Sequence, residues 1–96
     1  MNPREVNFSK FKVTDENILF EDRDFCVAIS VYENEYRIGM RWNGEDKNIG
    51  YPNSNARPVW FIMHDYLAID FLKSLIGLKG SNNEKIIKAI SNFKIV

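Results

Sequence analysis

Cysteine and histidine, from which most metal centres and nucleophilic sites are made, occur once each, as Cys26 and His64. A lone cysteine rules out an intramolecular disulfide and a cysteine-built zinc site. A lone histidine removes sites that rest on histidine pairs. Excess charge of either sign is also lacking. Thirteen basic side chains meet 13 acidic ones, so no global field draws the chain to DNA, RNA or anionic lipid. No apolar run approaches the roughly 20 residues a bilayer span requires. The opening "MNPREVNF" carries no apolar signal core. The expectation is a cytoplasmic protein with no membrane segment, no cofactor and no metal.

What is present supports a core. The chain is 45% hydrophobic and 14% aromatic, a composition that argues against disorder. It shows no internal repeat and no linker, and reads as a single domain over 1–96, mainly β over 1–63 and mainly α over 64–96. Residues 6–13, "VNFSKFKV", are rich in strand formers and suggest a first or edge strand. "ILFE" suggests a short second strand before the Asp22-Arg23-Asp24 break.

The clearest pattern follows. "FCVAISVY" places Phe25, Val27, Ile29 and Val31 on one face, and "EYRIGMRW" does the same for Tyr36, Ile38, Met40 and Trp42. Directly opposed residues of a hairpin share a face, so loop parity decides the register. A two-residue turn at Glu33-Asn34 pairs Val31 with Tyr36, Ile29 with Ile38, Val27 with Met40 and Phe25 with Trp42. That register gathers every large side chain on one side, expected to be buried together. Cys26, Ala28, Ser30, Arg37, Gly39 and Arg41 then form the other side, a low strip of small residues bordered by two arginines.

Further on, "PVWFIM" reads as a strand buried on both faces. A helix capped by His64 or Asp65 should run to about Gly77, with Leu67, Phe71, Leu72, Leu75 and Ile76 inward. Ser81 and Glu84 fit a capping box for a second helix reaching about Phe93, with Ile86, Ile87, Ile90 and Phe93 inward. The fold class is α+β: an antiparallel β-meander of about four to five strands followed by two C-terminal helices packed on one face.

No residue pattern names a reaction, and no catalytic residue is assigned. Cys26 sits mid-strand among apolar residues with nothing to lower its pKa, so a Cys26–His64 nucleophile is not expected. Two places could carry function. The first is the polar stretch 43–58, longer than ordinary connections and flanked by Trp42 and Trp60. Asn43, Asn48, Tyr51, Asn53, Asn55 and Arg57 give it the amides, aromatic anchor and charge of a recognition surface. Ile49 and Tyr51 can tether it, so it should be ordered. The second is the arginine-bordered strip, where Arg37 and Arg41, with Arg57, could hold a carboxylate or phosphate. Aromatic and basic residues alternate between faces in "MRW", which speaks against nucleic acid. The expected function is a small non-enzymatic binding module for another protein, of immunity, antitoxin or adaptor type, with homodimerisation through the sheet as a variant. The alternative is an anion- or small-ligand-binding domain or minor enzyme. Exposed apolar groups at Tyr51 or Tyr66 would favour the first, and convergence of the three arginines the second.

Overall fold

Glu33 and Asn34 turn the chain with φ of 52° and 68°, the left-handed pair that a two-residue hairpin requires. They join strand β2 (Phe25–Tyr32) to β3 (Glu35–Trp42). The register is the even one: Phe25 faces Trp42, Val27 faces Met40, Ile29 faces Ile38 and Val31 faces Tyr36. In this computed structural model, which describes residues 1–7, 9–45 and 48–93, the hairpin is the centre of a four-stranded antiparallel sheet. Its order is β1-β2-β3-β6, with β1 at Ile18–Glu21 and β6 at Phe61–Ile62. A separate two-stranded ribbon joins β4 (Asn53–Ser54) to β5 (Arg57–Pro58). Helices α1 (Asp65–Leu75) and α2 (Asn83–Ile90) complete the α+β fold.

The helices cover one face of the sheet only in its middle. They are 11 and 8 residues long, about 16 and 12 Å. The two central strands, of 8 residues each, extend about 27 Å. Val27 and Ile38 are fully buried beneath Leu72, Leu75, Ile86 and Phe93. The strand ends are left open: Val31 is 50%, Tyr36 51% and Trp42 56% exposed. The expectation that the whole apolar face is buried is thus corrected at both ends, because the helix layer is shorter than the hairpin.

The opposite face is covered as well, by the chain that precedes β1. Residues 6–13 (residue 8 lies outside the described residues) form no strand, contrary to the pattern reading. They lie as irregular chain whose Val6, Phe11 and Val13 pack on Ile18, Cys26, Ala28 and Trp60. Burying three such side chains contributes about 1.5–3 kcal/mol each. The low strip explains how they fit. An atom added as Cβ at Gly39 would stand 2.6 Å from Phe11 Cε1, so the ring lies directly on the glycine. The groove of small residues is filled by the chain's own N-terminal layer. Arg4 fastens that layer with a two-pronged bond to Glu21, both oxygens at 2.8 Å, and a further bond to Asp15. Ser30 Oγ donates to the Lys12 carbonyl at 2.6 Å. A bulge in β1 makes one short strand serve both layers. Ile18 pairs with Ala28 but Phe20 with Val27, so Leu19 is the extra residue. Ile18 consequently faces the N-terminal layer, while Leu19 and Phe20 face the helices.

Other differences have local causes. "PVWFIM" is not one strand: the ladder breaks at Val59-Trp60, with Trp60 and Met63 buried and Phe61 exposed. Helix α1 is capped by His64, whose Nδ1 accepts from the Tyr66 N–H at 3.2 Å. Its buried residues are Ala68, Leu72 and Leu75, so small Ala68 faces the sheet and Leu67 and Ile76 stay exposed. Asn82, not Ser81, caps α2, accepting from the Lys85 N–H at 3.1 Å. Ser81 Oγ instead donates to the Leu75 carbonyl at 2.6 Å, closing α1. Helix α2 ends at Ile90; Ile86, Ala89 and the following Phe93 point inward, while Ile87 is exposed. Both sheet edges are partly closed by the chain: Glu21 N–H donates to the Gly80 carbonyl, and Trp42 pairs with Tyr51. Among the described residues no helix is long and apolar enough to cross a membrane.

Two predictions concern the N-terminal layer. Gly39→Ala forces the Phe11 ring to shift and is expected to cost about 1–3 kcal/mol in urea unfolding. The cost should largely vanish in a Phe11→Ala background, so the double-mutant cycle is strongly non-additive. The Arg4 hydrogen bonds, against a smaller opposing effect of burial, hold the Glu21 carboxyl below its usual range. A carboxyl lowered on folding stabilises above its unfolded pKa, and that contribution disappears as pH falls through the depressed folded value. Wild type should therefore lose an increment of stability below about pH 4.5 that Glu21→Gln lacks at every pH.

Candidate functional site

The long connection after β3 is organised by one side chain from β3 itself. Arg41 is 1% exposed, and its guanidinium reaches the inside of the loop. It donates to the Val59 carbonyl at 2.6 Å, the Trp42 carbonyl at 3.3 Å, and the Ile49 carbonyl. Above it, Trp42 and Tyr51 exchange both backbone hydrogen bonds, at 2.7 and 2.8 Å, and so close the chain between them into a ring. Gly50 makes the closure possible: with φ at +73°, a Cβ there would stand 2.0 Å from the Trp42 carbonyl oxygen. The Met1 amino group donates to the Asn43 carbonyl at 2.9 Å from the other side. Beyond Tyr51 the chain folds on itself again, Asn55 and Ala56 forming the φ-positive turn of the β4–β5 ribbon. These contacts hold the described part of the stretch; residues 46 and 47 lie outside the described residues.

This arrangement reassigns the arginines. Arg41 was expected at the border of an open strip, in reach of an anion. It is instead a buried strut with carbonyl partners, and desolvation lowers its pKa from the ordinary guanidinium value. Arg37 binds both oxygens of Asp65, at 3.0 and 2.9 Å, and also Glu35, whose hydrogen bond is the main cause of its raised pKa. Four residues of extended strand separate Arg37 from Arg41, about 13 Å. Arg57 lies on the β4–β5 ribbon, lining a small hollow with Ser54, Asn55 and Val59. Arg37 and Arg41 answer to different partners, and neither lines the hollow beside Arg57.

The loop's expected recognition residues divide. Asn43 is buried, its N–H donating to the Asp24 carbonyl at 2.7 Å, and it holds the loop rather than facing a partner. Asn48, Asn53 and Asn55 are exposed, and Tyr51 is 66% exposed. The two tryptophans also divide. Trp60 is core, 5.4 Å from the Phe11 ring, whereas Trp42 stands outside.

An aromatic surface that the periodicity did not show results from these placements. Trp42 packs against Phe25 with ring centroids 4.8 Å apart and the planes tilted by 58°. Pairing with Trp42 brings Tyr51 alongside, and pairing with Met40 brings Phe61 to the same face. Trp42, Tyr51 and Phe61 are 56, 66 and 55% exposed, and with Phe25, Met40, Arg41 and Pro52 they line a hollow of about 120 Å³. Only the cross-strand partners reveal the cluster, because Tyr51 and Phe61 are brought in by chain that the alternation pattern does not reach.

Elsewhere, a wider groove of about 570 Å³ lies between α2 and the turn end of the hairpin, lined by Asn17, Tyr36, Lys85 and Lys88 among others. Two of its polar groups are already engaged: Lys85 Nζ donates to the Asp15 carbonyl at 3.1 Å and Asn17 Nδ2 to the Ile29 carbonyl at 2.8 Å. Burial pushes the Cys26 thiol up to about 12, which leaves it protonated and inert. No three His, Cys, Asp or Glu side chains gather as a metal site would need, among the described residues. Comparison with protein-family models, curated proteins and solved structures finds no match for this chain.

Removing the strut should release the loop while sparing the hairpin. Arg41→Met leaves buried carbonyls without donors, at about 1–3 kcal/mol each. The expected result is a loss of at least about 2 kcal/mol in urea unfolding, with amide exchange accelerated at 48–51 well beyond that at 27–31.

Proposed function

We propose that this chain is a non-enzymatic interaction module that docks a protein partner on the Trp42–Tyr51–Phe61 face. The observation that carries the reading is that three large aromatic side chains, each more than half exposed, stand together on a face held by backbone pairing. Aromatic residues dominate the energetic centres of interfaces, and contiguous apolar patches on a free surface mark binding sites. Covering half of an aromatic side chain removes roughly 100 Å² from water, worth about 2–3 kcal/mol per ring. The sum for three rings, roughly 7–8 kcal/mol, is comparable with the cost of association, about 4–15 kcal/mol. The face therefore supplies an anchor and needs a rim. Asn48, Asn53 and Asn55 offer exposed amides for one; Tyr66, though exposed, follows Asp65, which Arg37 holds farther along β3. The alternative of an anion-binding domain or minor enzyme loses its support in the separate engagement of Arg37 and Arg41.

Trp42→Ala and Tyr51→Ala, placed on exposed side chains, should each leave the fold intact with a stability change of about 1 kcal/mol or less. In native mass spectrometry of tagged protein recovered from its source, the wild type should carry a discrete protein-sized mass that both variants lack. Ile87→Ala, on the exposed side of α2, should retain it. Loss in Ile87→Ala with retention in Trp42→Ala would move the docking face to the helices, and an added mass of a few hundred daltons would replace the protein partner with a small ligand.

A further inference from the structure

The aromatic face is small for a contact between two folded surfaces. Trp42, Tyr51 and Phe61 leave roughly 100 Å² of ring surface each in water, about 300 Å² together. A folded partner, or a second copy of the chain, covers about 800 Å² per side in an ordinary specific complex. The patch suits a short segment instead. Its backbone groups are already engaged. Trp42 exchanges both hydrogen bonds with Tyr51, Met40 pairs with Phe61, and the Pro52 carbonyl accepts from the Val59 N–H at 3.1 Å. Pro52 itself has no N–H to offer. An added strand finds no open ladder position beside Trp42. Charge gives no direction either. The Met1 amino group, on the Asn43 carbonyl, and Arg23 stand at this end with Asp22, Asp24 and Glu45. Arg41 lines the hollow, but its guanidinium is held by carbonyls of the chain.

We infer that the occupant is a proline-rich segment in the polyproline II conformation, with one pyrrolidine ring in the hollow beside Trp42. The inference rests on the reading of this face as a docking surface and names its occupant. The hollow of about 120 Å³ has room for a single side chain, and four of its walls are aromatic rings. A docked helix needs anchors at i, i+4 and i+7, spread over about 10 Å, and the hollow takes one. Proline-rich segments dock on aromatic-lined surfaces because their preformed helix loses little entropy on binding. Polyproline II has no internal hydrogen bonds, so its carbonyls are open to side-chain donors. Trp42 and Tyr51, both exposed, supply an indole N–H and a phenol O–H that no group engages among the described residues. With the local backbone engaged and the charges mixed, rings and side-chain donors are what this face presents, and polyproline II is the segment conformation they match.

The test uses the full-length chain labelled with ¹⁵N and two neutral, end-capped peptides of about ten residues. One is mostly proline; the other carries alanine at each of those positions. Amide and indole shifts report binding even when it is weak. The proline peptide is expected to shift the amides of 40–43, 51 and 61 and the Trp42 indole. Its dissociation constant should lie at least about ten-fold below that of the alanine peptide. Raising salt from about 50 to about 500 mM should change that constant by less than about two-fold. Trp42→Phe keeps a ring and removes the N–H donor, and should weaken binding about five-fold. Ile87→Ala should leave it unchanged. Equal or tighter binding of the alanine peptide at Trp42, or binding undiminished in Trp42→Phe, overturns the polyproline assignment while the docking face stands. No shift with either peptide overturns the assignment as well, and the native mass measurement then decides the face by itself. Proline-peptide shifts that avoid Trp42 overturn both.

Discussion

A single buried cation organises the half of the molecule that carries its exposed surface. Arg41 gives up hydration and, among the described residues, is held by carbonyl oxygens from Trp42, Ile49 and Val59. Isolated charges are costly in an interior, and the cost is offset here by hydrogen bonds to carbonyls of the loop. Loop backbone inside a protein needs partners for its carbonyls, and one guanidinium with its fork of donors serves three. A lysine could not span the same three points. The loop's order, the position of Tyr51 beside Trp42 and the neighbouring aromatic cluster all follow from that contact.

Two layers compete to cover the sheet, and neither is large enough for the whole of it. The N-terminal segment seals the strip of small residues because Gly39 admits Phe11. The helices seal the middle of the other face and leave the hairpin ends in water. Of the two uncovered ends, one is reached by Phe61 and Tyr51, so three exposed rings, Trp42 included, gather there. That concentration gives the exposed rings their significance, since isolated apolar side chains on a surface are ordinary.

The central hairpin was fully legible in the sequence, because parity leaves only one register that puts the large side chains together. The two helices were legible in type and order and in much of their inward face, Leu72, Leu75, Ile86 and Phe93 included, but not at its edges. Leu67 and Ile87 look like core residues, yet small Ala68 and Ala89 take the inward positions, and hydrophobicity alone does not rank a small residue above a large one at close helix–sheet contacts. The role of residues 6–13 was not readable: Val6, Phe11 and Val13 signal burial, and nothing local says that burial occurs without a ladder. Arg41 shows the largest gap. Alternation places it on the face opposite Trp42, but whether that face meets solvent depends on a layer distant in sequence. At the candidate site, Tyr51 was identifiable as an anchor, whereas Phe61 was hidden in an apolar run and Asn43 looked like a surface amide.

The N-terminal layer is attached to the sheet by side chains, an ion pair and a few hydrogen bonds, with no strand ladder among the described residues. Such a layer can lift as a unit at a free energy below that of global unfolding. Cys26 lies directly under it, fully buried and held in the thiol form. Because the thiolate is the reactive species, modification must wait until this cover departs. The one cysteine of the chain is in effect a clock: its labelling rate would count the openings of the layer that covers it.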